Sequence, residues 1–348
     1  MNMTYNSLKN IQQLLKKSEG LLIFDCKIVK KLTNLCSSSI FLYITNKRLA
    51  VITDQRYRHL KNNWEYEFII TDDFYRDLRE ITKDSDNIYL NLNSAKYNFA
   101  SQISKFIKIN NTPDRIKKVF QEKNEEEIKN LKHAIKITEK SLEKGLKLIN
   151  SDITEKQLQK ALIINAYEHN CTGLSFEPIV AFGKNSSNIH HQAKDEKLGN
   201  SKIILIDLGF KFNNQCADMT RTFILDNNLT QIINTYKSVL KAKYESQKLY
   251  KANTDIKKAA EKANNILKNA KLPKIPHSLG HGVGSEVHEN PVIHEKSKQK
   301  FQANTTITIE PGVYVENDFG IRIEDIIHIR NSDNVNLNSF SLDYKLNL

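Results

Sequence analysis

The sequence predicts an α+β protein of two domains: a smaller α/β domain over residues 1–115 and a larger one over residues 116–348. Three observations predict it. Helical and strand-like segments alternate through the first part of the chain. A stretch reading INNTPDR then breaks the pattern. Beyond it the order helix, helix, antiparallel hairpin occurs twice, which implies a pseudo-two-fold domain with a curved antiparallel sheet and helices packed on one face.

Taken in order, NSLKNIQQLLKK has helical spacing, and LLIFD, SIFLYIT and RLAVITD read as strands. WEYEFII and NIYLN are further strands, with DDFYRDLREI and SAKYNFASQISKFI as helices between and after them. Residues 109–115 read as a linker, since Pro113 disfavours helix at Thr112. One long helix is expected over 116–149, with Ile128, Leu131, Ile135, Leu142, Leu146 and Ile149 at helical spacing. Thr154 followed by Gln157 is a capping-box start for the next helix, and Gly173 suits its end. KIILIDLGF and CADMTRTFIL then form a hairpin around Asn213–Asn214. In the second half, helices around Ile232–Leu249 and Asp255–Ala270 precede a hairpin of NTTITIEPGVYV and GIRIEDIIHI around ENDFG.

With 348 residues and 39% hydrophobic content the chain has ample core for two domains. The N-terminal stretch has no apolar signal-like segment, and no run is long enough for a membrane span, so a cytoplasmic location is expected. The net charge of +12 comes from dispersed lysines, often beside glutamate, which fits solvated helix faces. No RNP, zinc-finger or basic-aromatic pattern accompanies it, so no nucleic-acid partner is expected. Cys26, Cys36, Cys171 and Cys216 form no C-x-x-C pair and read as small buried residues. Cys216 differs, because on a strand it would share a face with Asp218 and so reach the same site.

The chemistry concentrates in Asp207, Asp218, His281, Glu310 and Glu324, within LIDLG, CADMTRTF, HSLGHGVGSEVHE and TIEPGVY…GIRIED. Four carboxylates and one imidazole suit two hard or borderline divalent cations. Buried anions of this number require compensating positive charge. Asp207 and Asp218 are equidistant from a turn centred between Phe212 and Asn213, and Glu310 and Glu324 from Asn317. In unbulged hairpins each pair would face directly, where like charges repel unless a cation intervenes. His281 lies among Gly280, Gly282 and Gly284, which let backbone and substrate approach closely. His277, His281 and His288 cluster in a chain with ten histidines; one or two fit a metal, and the others fit hydrogen bonding to a substrate.

These stretches, from Ile116 to about Arg330, resemble the metallopeptidases of the pita-bread fold, family M24, which include methionine aminopeptidases, Xaa-Pro aminopeptidases and Xaa-Pro dipeptidases (prolidases). SSSIFLYITNKRLAVITDQRY looks like the non-catalytic domain that precedes the catalytic domain in creatinases, prolidases and Xaa-Pro aminopeptidases. The resemblance implies that Asp207 is bidentate on one cation, that Asp218 and Glu324 bridge, and that His281 and Glu310 complete opposite ends. Manganese is the metal expected, with cobalt, iron and zinc as alternatives. It also implies a homodimer.

The reaction so implied is hydrolysis of the N-terminal Xaa-Pro bond of a peptide with proline in second position. Two cations about 3.5–4 Å apart hold a bridging water as hydroxide near neutral pH. Glu310 takes its proton, and His288 stabilises the developing oxyanion. His190 corresponds to a family histidine that contacts substrate around the scissile bond; Ile189 replaces the usual preceding proline, and His191 is the alternative. His277 would line the pocket on the proline side, and Arg322 would orient a ligand carboxylate. Prolidases often carry a basic residue after the HE-x-P stretch, where this chain has Val292, which favours an aminopeptidase over a prolidase restricted to dipeptides. A catalytically inactive pita-bread binding module is the alternative of a different class, against which the five intact ligands argue.

Overall fold

The protein is described by a computed structural model covering residues 2–33, 35, 37–63, 67–226 and 228–346. It divides into two compact units, Met1–Phe120 and Gln121–Leu348.

The first unit runs α1 (Asn2–Leu14), β1 (Glu19–Ile23), α2 (Cys26–Thr33), β2 (Phe41–Thr45), β3 (Leu49–Thr53), β4 (Glu67–Ile70), α3 (Phe74–Ile81), β5 (Asn87–Leu90), α4 (Tyr97–Ser104), β6 (Lys108–Asn111) and α5 (Asp114–Gln121). Its six strands form one mixed sheet in the order β4-β3-β2-β1-β5-β6. Side chains alternate across it. Leu21, Leu42, Ile44 and Val51 pack with Ile11, Val29 and Ile116 of the helices on one face. Leu22, Tyr43 and Ile52 pack with Leu78 and Ile103 on the other. Trp64, Glu65 and Tyr66 of the expected WEYEFII strand, and Cys36, lie outside the described residues.

The linker expected at 109–115 is a correction. Lys108–Asn111 pairs in parallel with β5, and the Thr112 N–H continues that pairing by donating to Leu90 O at 3.0 Å. Pro113 opens α5, its carbonyl accepting from the Ile116 and Lys117 N–H groups. Ile116 and Val119 then bury in the first core, so the division falls after Phe120 and not at 115/116.

The second unit runs α6 (Glu125–Leu146), α7 (Glu155–Glu168), β7 (Gly173–Leu174), β8 (Ile179–Phe182), β9 (Ile203–Leu208), β10 (Phe210–Phe212), β11 (Gln215–Cys216), β12 (Met219–Ile224), α8 (Thr230–Gln247), α9 (Ile256–Asn269), β13 (Gly280–Gly282), β14 (Glu289–Ile293), β15 (Thr305–Ile309), β16 (Gly312–Val315), β17 (Phe319–Arg322), β18 (Asp325–Ile329) and β19 (Asn334–Asn336). Its strand pairings are antiparallel. The repeat is visible: α6 and α7 precede the β9–β12 hairpin, and α8 and α9 precede the β15–β18 hairpin. Leu142, Leu158 and Leu162 pack on Ile204, Ile206 and Phe223 in one half. Tyr236, Val239, Ala260 and Leu267 pack on Ile307, Ile309, Ile321 and Ile327 in the other.

The single helix expected over 116–149 is two helices. Asn124 caps α6: its side chain accepts from the Glu127 N–H, and the Glu127 carboxylate accepts from the Asn124 N–H. The Thr154–Gln157 capping box is present as expected. Beyond α7 the left-handed residue is Asn170, with φ 63°, and Gly173 instead begins β7. Among the described residues no helix is long and apolar enough to cross a membrane.

Candidate metal centre

The first hairpin turns through Asn213 and Asn214, whose φ values of 44° and 69° are both positive. Such a two-residue turn matches the twist of antiparallel strands, and asparagine tolerates it. It sets Phe212 opposite Gln215, Lys211 opposite Cys216 and Asp207 opposite Thr220. The direct Asp207–Asp218 pairing expected from the sequence is therefore incorrect. The register is displaced by two residues, an even number, so both carboxylates keep the same face and stand diagonally. At the level of Asp218 the opposing strand has Gly209, where a Cβ would lie 2.0 Å from Ala217 O.

The second hairpin keeps the expected register. Ile309 pairs with Asp325 and Gly312 with Arg322, so Glu310 and Glu324 stand across from each other at the break between the two ladders. The hairpins are joined there. The Glu324 N–H donates to Thr220 O at 3.1 Å, and Thr220 Oγ1 donates to Glu324 Oε2 at 2.7 Å. His281 enters from β13, its N–H donating to Thr308 Oγ1 at 3.0 Å.

All five residues line one cavity of about 860 Å³, together with His190, His191, His277, His288, Val292 and Arg322. Asp218, His281 and Glu324 offer donor atoms within 4.8 Å of one another. His281 Nδ1 lies 3.0 Å from Gly282 O, which directs its proton there and leaves the Nε2 lone pair toward the acids. That nitrogen is 3.6 Å from Asp218 Oδ2 and 3.4 Å from Glu310 Oε1. Arg322 donates to Asp207 Oδ2 at 2.6 Å, to Thr220 Oγ1 at 3.0 Å and to the Tyr314 hydroxyl at 2.7 Å.

The electrostatics are those of an anionic pocket short of positive charge. Burial, reinforced by Glu324, Asp207 and Glu310, pushes the Asp218 carboxyl well up. Burial does the same to Glu324, with Glu310 and Asp207 adding to it. Glu310 is pushed up to about 8, first by burial and then by Asp207, against the pull of Arg322. Burial holds His281 and His277 down at about 4. Asp207 Oδ1 is buried without a hydrogen-bond partner. A bare acceptor, acids raised by burial and by one another, and a neutral imidazole with its lone pair inward are what a divalent-cation site requires of a protein, so the residues fit such a group.

The other histidines divide. His191 is buried with Nε2 2.8 Å from Glu155 Oε2, whereas His190 is exposed on the cavity wall. His288 is exposed, its ring 4.4 Å from that of His281. His277 has both ring nitrogens engaged, Nδ1 with Ser278 O at 2.7 Å and Nε2 with the Tyr314 hydroxyl at 3.0 Å. The Tyr314 oxygen accepts from Arg322, so its proton goes to His277. Cys216 does not line the cavity: it packs with Leu131, Ala134 and Ile135.

Tyr314 and Glu155 escaped the sequence reading. Tyr314 sits in an ordinary strand pattern. Glu155 reads as a first-turn acid favoured by the helix dipole. In the fold it is fully buried and accepts from Phe182 N, Asn185 Nδ2, Lys194 N and His191, pinning the loop that carries His190.

An antiparallel sheet that gathers four carboxylates and an imidazole in one cavity defines a scaffold of the metallopeptidase class. The chain belongs to metallopeptidase family M24, whose sequence profile matches residues 129–331. An uncharacterized peptidase of Staphylococcus saprophyticus is 32% identical over 226 residues, 65% of this chain and 65% of that protein. Another from Staphylococcus epidermidis is 34% identical over 213 residues, 61% of each. The matches thus span less than two thirds of these relatives' length. Among solved structures, an X-Pro aminopeptidase from Thermotoga maritima MSB8 is similar with a TM-score of 0.84 and 26% identity, over 96% of this chain and 99% of that one. An Xaa-Pro dipeptidase from Bacillus anthracis has a TM-score of 0.89 over 99% of this chain and 100% of its own, at 22% identity, a likeness of fold. The α+β pita-bread architecture expected from the sequence is the one these proteins share.

Proposed function

We propose that the protein is a metal-dependent peptidase that cleaves the N-terminal Xaa-Pro bond of peptides longer than two residues. The observation that carries this reading is the convergence of Asp207, Asp218, His281, Glu310 and Glu324 on one cavity, with Asp207 Oδ1 buried and bare. These five residues would hold two divalent cations, manganese before cobalt, iron or zinc. When bound, such ions supply Lewis acidity toward water and a peptide carbonyl.

The protein's own groups do the rest. Glu310 receives the proton of the attacking water. His288, exposed beside His281, donates to the peptide oxygen as negative charge develops there. His190 contacts the substrate near the scissile bond, while His191 is committed to Glu155. His277 presents its ring to the proline side, fixed by Tyr314 and Ser278. Arg322 holds Asp207 in place.

Peptide length is favoured by charge. Among the described residues the cavity lining contains no lysine, and its one arginine, Arg322, is spent on Asp207, Thr220 and Tyr314. Val292 lies in the lining, 49% exposed, where a cation would be needed to grip the terminal carboxylate of a dipeptide. The similarity to an X-Pro aminopeptidase supports the bond. We place the protein in the cytoplasm as a homodimer, and light scattering of the purified protein checks the dimer. Hydrolysis of Xaa-Pro against Xaa-Pro-Yaa with added manganese tests the specificity. Faster turnover of the tripeptide is expected, and a strict dipeptide preference would overturn it.

A further inference from the structure

We infer that Lys123 is a positioning residue for His288, acting through Glu289. The inference rests on the role proposed above for His288. Lys123 lies in the short segment between α5 and α6, remote in sequence from the site motifs. Its N–H donates to Asn304 O at 2.6 Å, which anchors its backbone. Its side chain is 3% exposed, and Nζ donates to Glu289 Oε2 at 2.7 Å. The other oxygen, Glu289 Oε1, accepts from Ser285 Oγ at 3.2 Å and from the Glu286 N–H at 3.1 Å. One carboxylate therefore ties a lysine from outside the motif to the loop that leads from His281 to His288.

The loop is held at its other end too. Gly284 O accepts from the Cys216 N–H at 2.7 Å, fastening it to the first hairpin. Gly284 leaves room for the ion pair: a Cβ there would lie 2.5 Å from Lys123 Nζ and 2.8 Å from Glu289 Oε1, and so would displace both groups. Glu289 opens β14 directly after His288, and both line the cavity. Fixing the Glu289 carboxylate on Lys123 therefore fixes the backbone from which His288 reaches the ring of His281. A buried lysine is a costly way to gain stability, since removing its carboxylate partner strands a charge. Its location beside His288 gives the pair a purpose in aiming that imidazole.

The test compares manganese-loaded Lys123→Met, His288→Ala and the double variant on an Xaa-Pro-Yaa peptide. Lys123→Met is expected to lower kcat by roughly ten- to a hundredfold, the scale of a misplaced catalytic group. KM and the number of manganese ions bound by calorimetry should stay at wild-type values. In the His288→Ala background the lysine substitution should cost nothing further. Wild-type kcat in Lys123→Met, loss of manganese, or an equal loss in both backgrounds would overturn the inference. Wild-type kcat in His288→Ala would instead remove the role of His288 itself. Histidine-labelled magnetic resonance of the full chain supplies a readout independent of activity: the His288 ring signals should move in Lys123→Met while those of His191 stay, and unmoved His288 signals contradict the inference. Should Lys123→Met fail to fold, Gly284→Ala displaces the same ammonium group and is held to the same outcomes.

Discussion

The hairpin around Asn213–Asn214 and the hairpin around Asn317 each present two carboxylates to the same cavity, yet they place them differently. In the first, the β10–β11 and β9–β12 ladders share one register that pairs Asp207 with Thr220, and Asp218 sits diagonally across at the level of Gly209. In the second, the β16–β17 and β15–β18 ladders also share one register, and it sets Glu310 directly opposite Glu324. One site thus draws a diagonal pair and an opposed pair of acids from two hairpins that are both paired on either side of the site. A displacement by an even number of residues is harmless to the face presented, and an odd one would have emptied the site.

The largest effect that could break this comparison is loss of one acid from either hairpin. Asp218→Asn and Glu324→Gln should each abolish hydrolysis of an Xaa-Pro-Yaa peptide, by more than about a thousandfold, with the circular dichroism of the folded chain retained. Substantial turnover in one variant and not the other would show that the hairpins do not serve one centre.

A smaller effect concerns pH. Without cations, Asp218, Glu310 and Glu324 are raised in the folded chain, so the folded state binds more protons than the unfolded one above the ordinary carboxylate range. Stability of the metal-free protein then falls as pH rises from near 4.5 to about 8, where Glu310 ionises. His277 and His281 act oppositely: held down at about 4 from 6.5, they cost stability as pH falls through that window. Added manganese relieves only the carboxylate repulsion that grows with pH. Calorimetric melting should therefore show a manganese-dependent rise in Tm that is larger at pH 8 than at pH 6; a rise independent of pH would contradict the assignment.

The smallest effect concerns the turns. Valine at Asn213 or at Asn317 places a β-branched residue at positive φ, costing about 1–2 kcal/mol in urea denaturation. Manganese binding should be unchanged in both variants, because paired strands on either side of the acids hold each register. Loss of affinity in either would show that its turn, and not the ladders, sets the register.

Much of this arrangement was legible in the sequence because its determinants are local. Each ligand lies in its own short motif, the repeat of helices and hairpins shows in periodicity, and Thr154 with Gln157 announces a helix start. The opposed pairing of Asp207 and Asp218 was misread because the turn centre was placed one residue early; two successive asparagines, both tolerant of positive φ, were the available signal. Asn124 with Glu127 was a second capping signal inside the expected long helix. Lys123, Glu155 and Tyr314 were beyond reach. Glu289 and His191, the partners of Lys123 and Glu155, are distant in the chain, and Tyr314 meets Arg322 only diagonally across a hairpin, so tertiary contact alone shows that an ordinary lysine, first-turn acid and strand tyrosine orient the site.

Calorimetric titration of manganese into the metal-free protein, run beside His281→Ala, tests whether Asp207, Asp218, His281, Glu310 and Glu324 form one two-cation centre. Two ions per wild-type chain and a weakened or lost ion in the variant are expected. No binding by the wild-type chain, or binding that His281→Ala leaves unchanged, would contradict it.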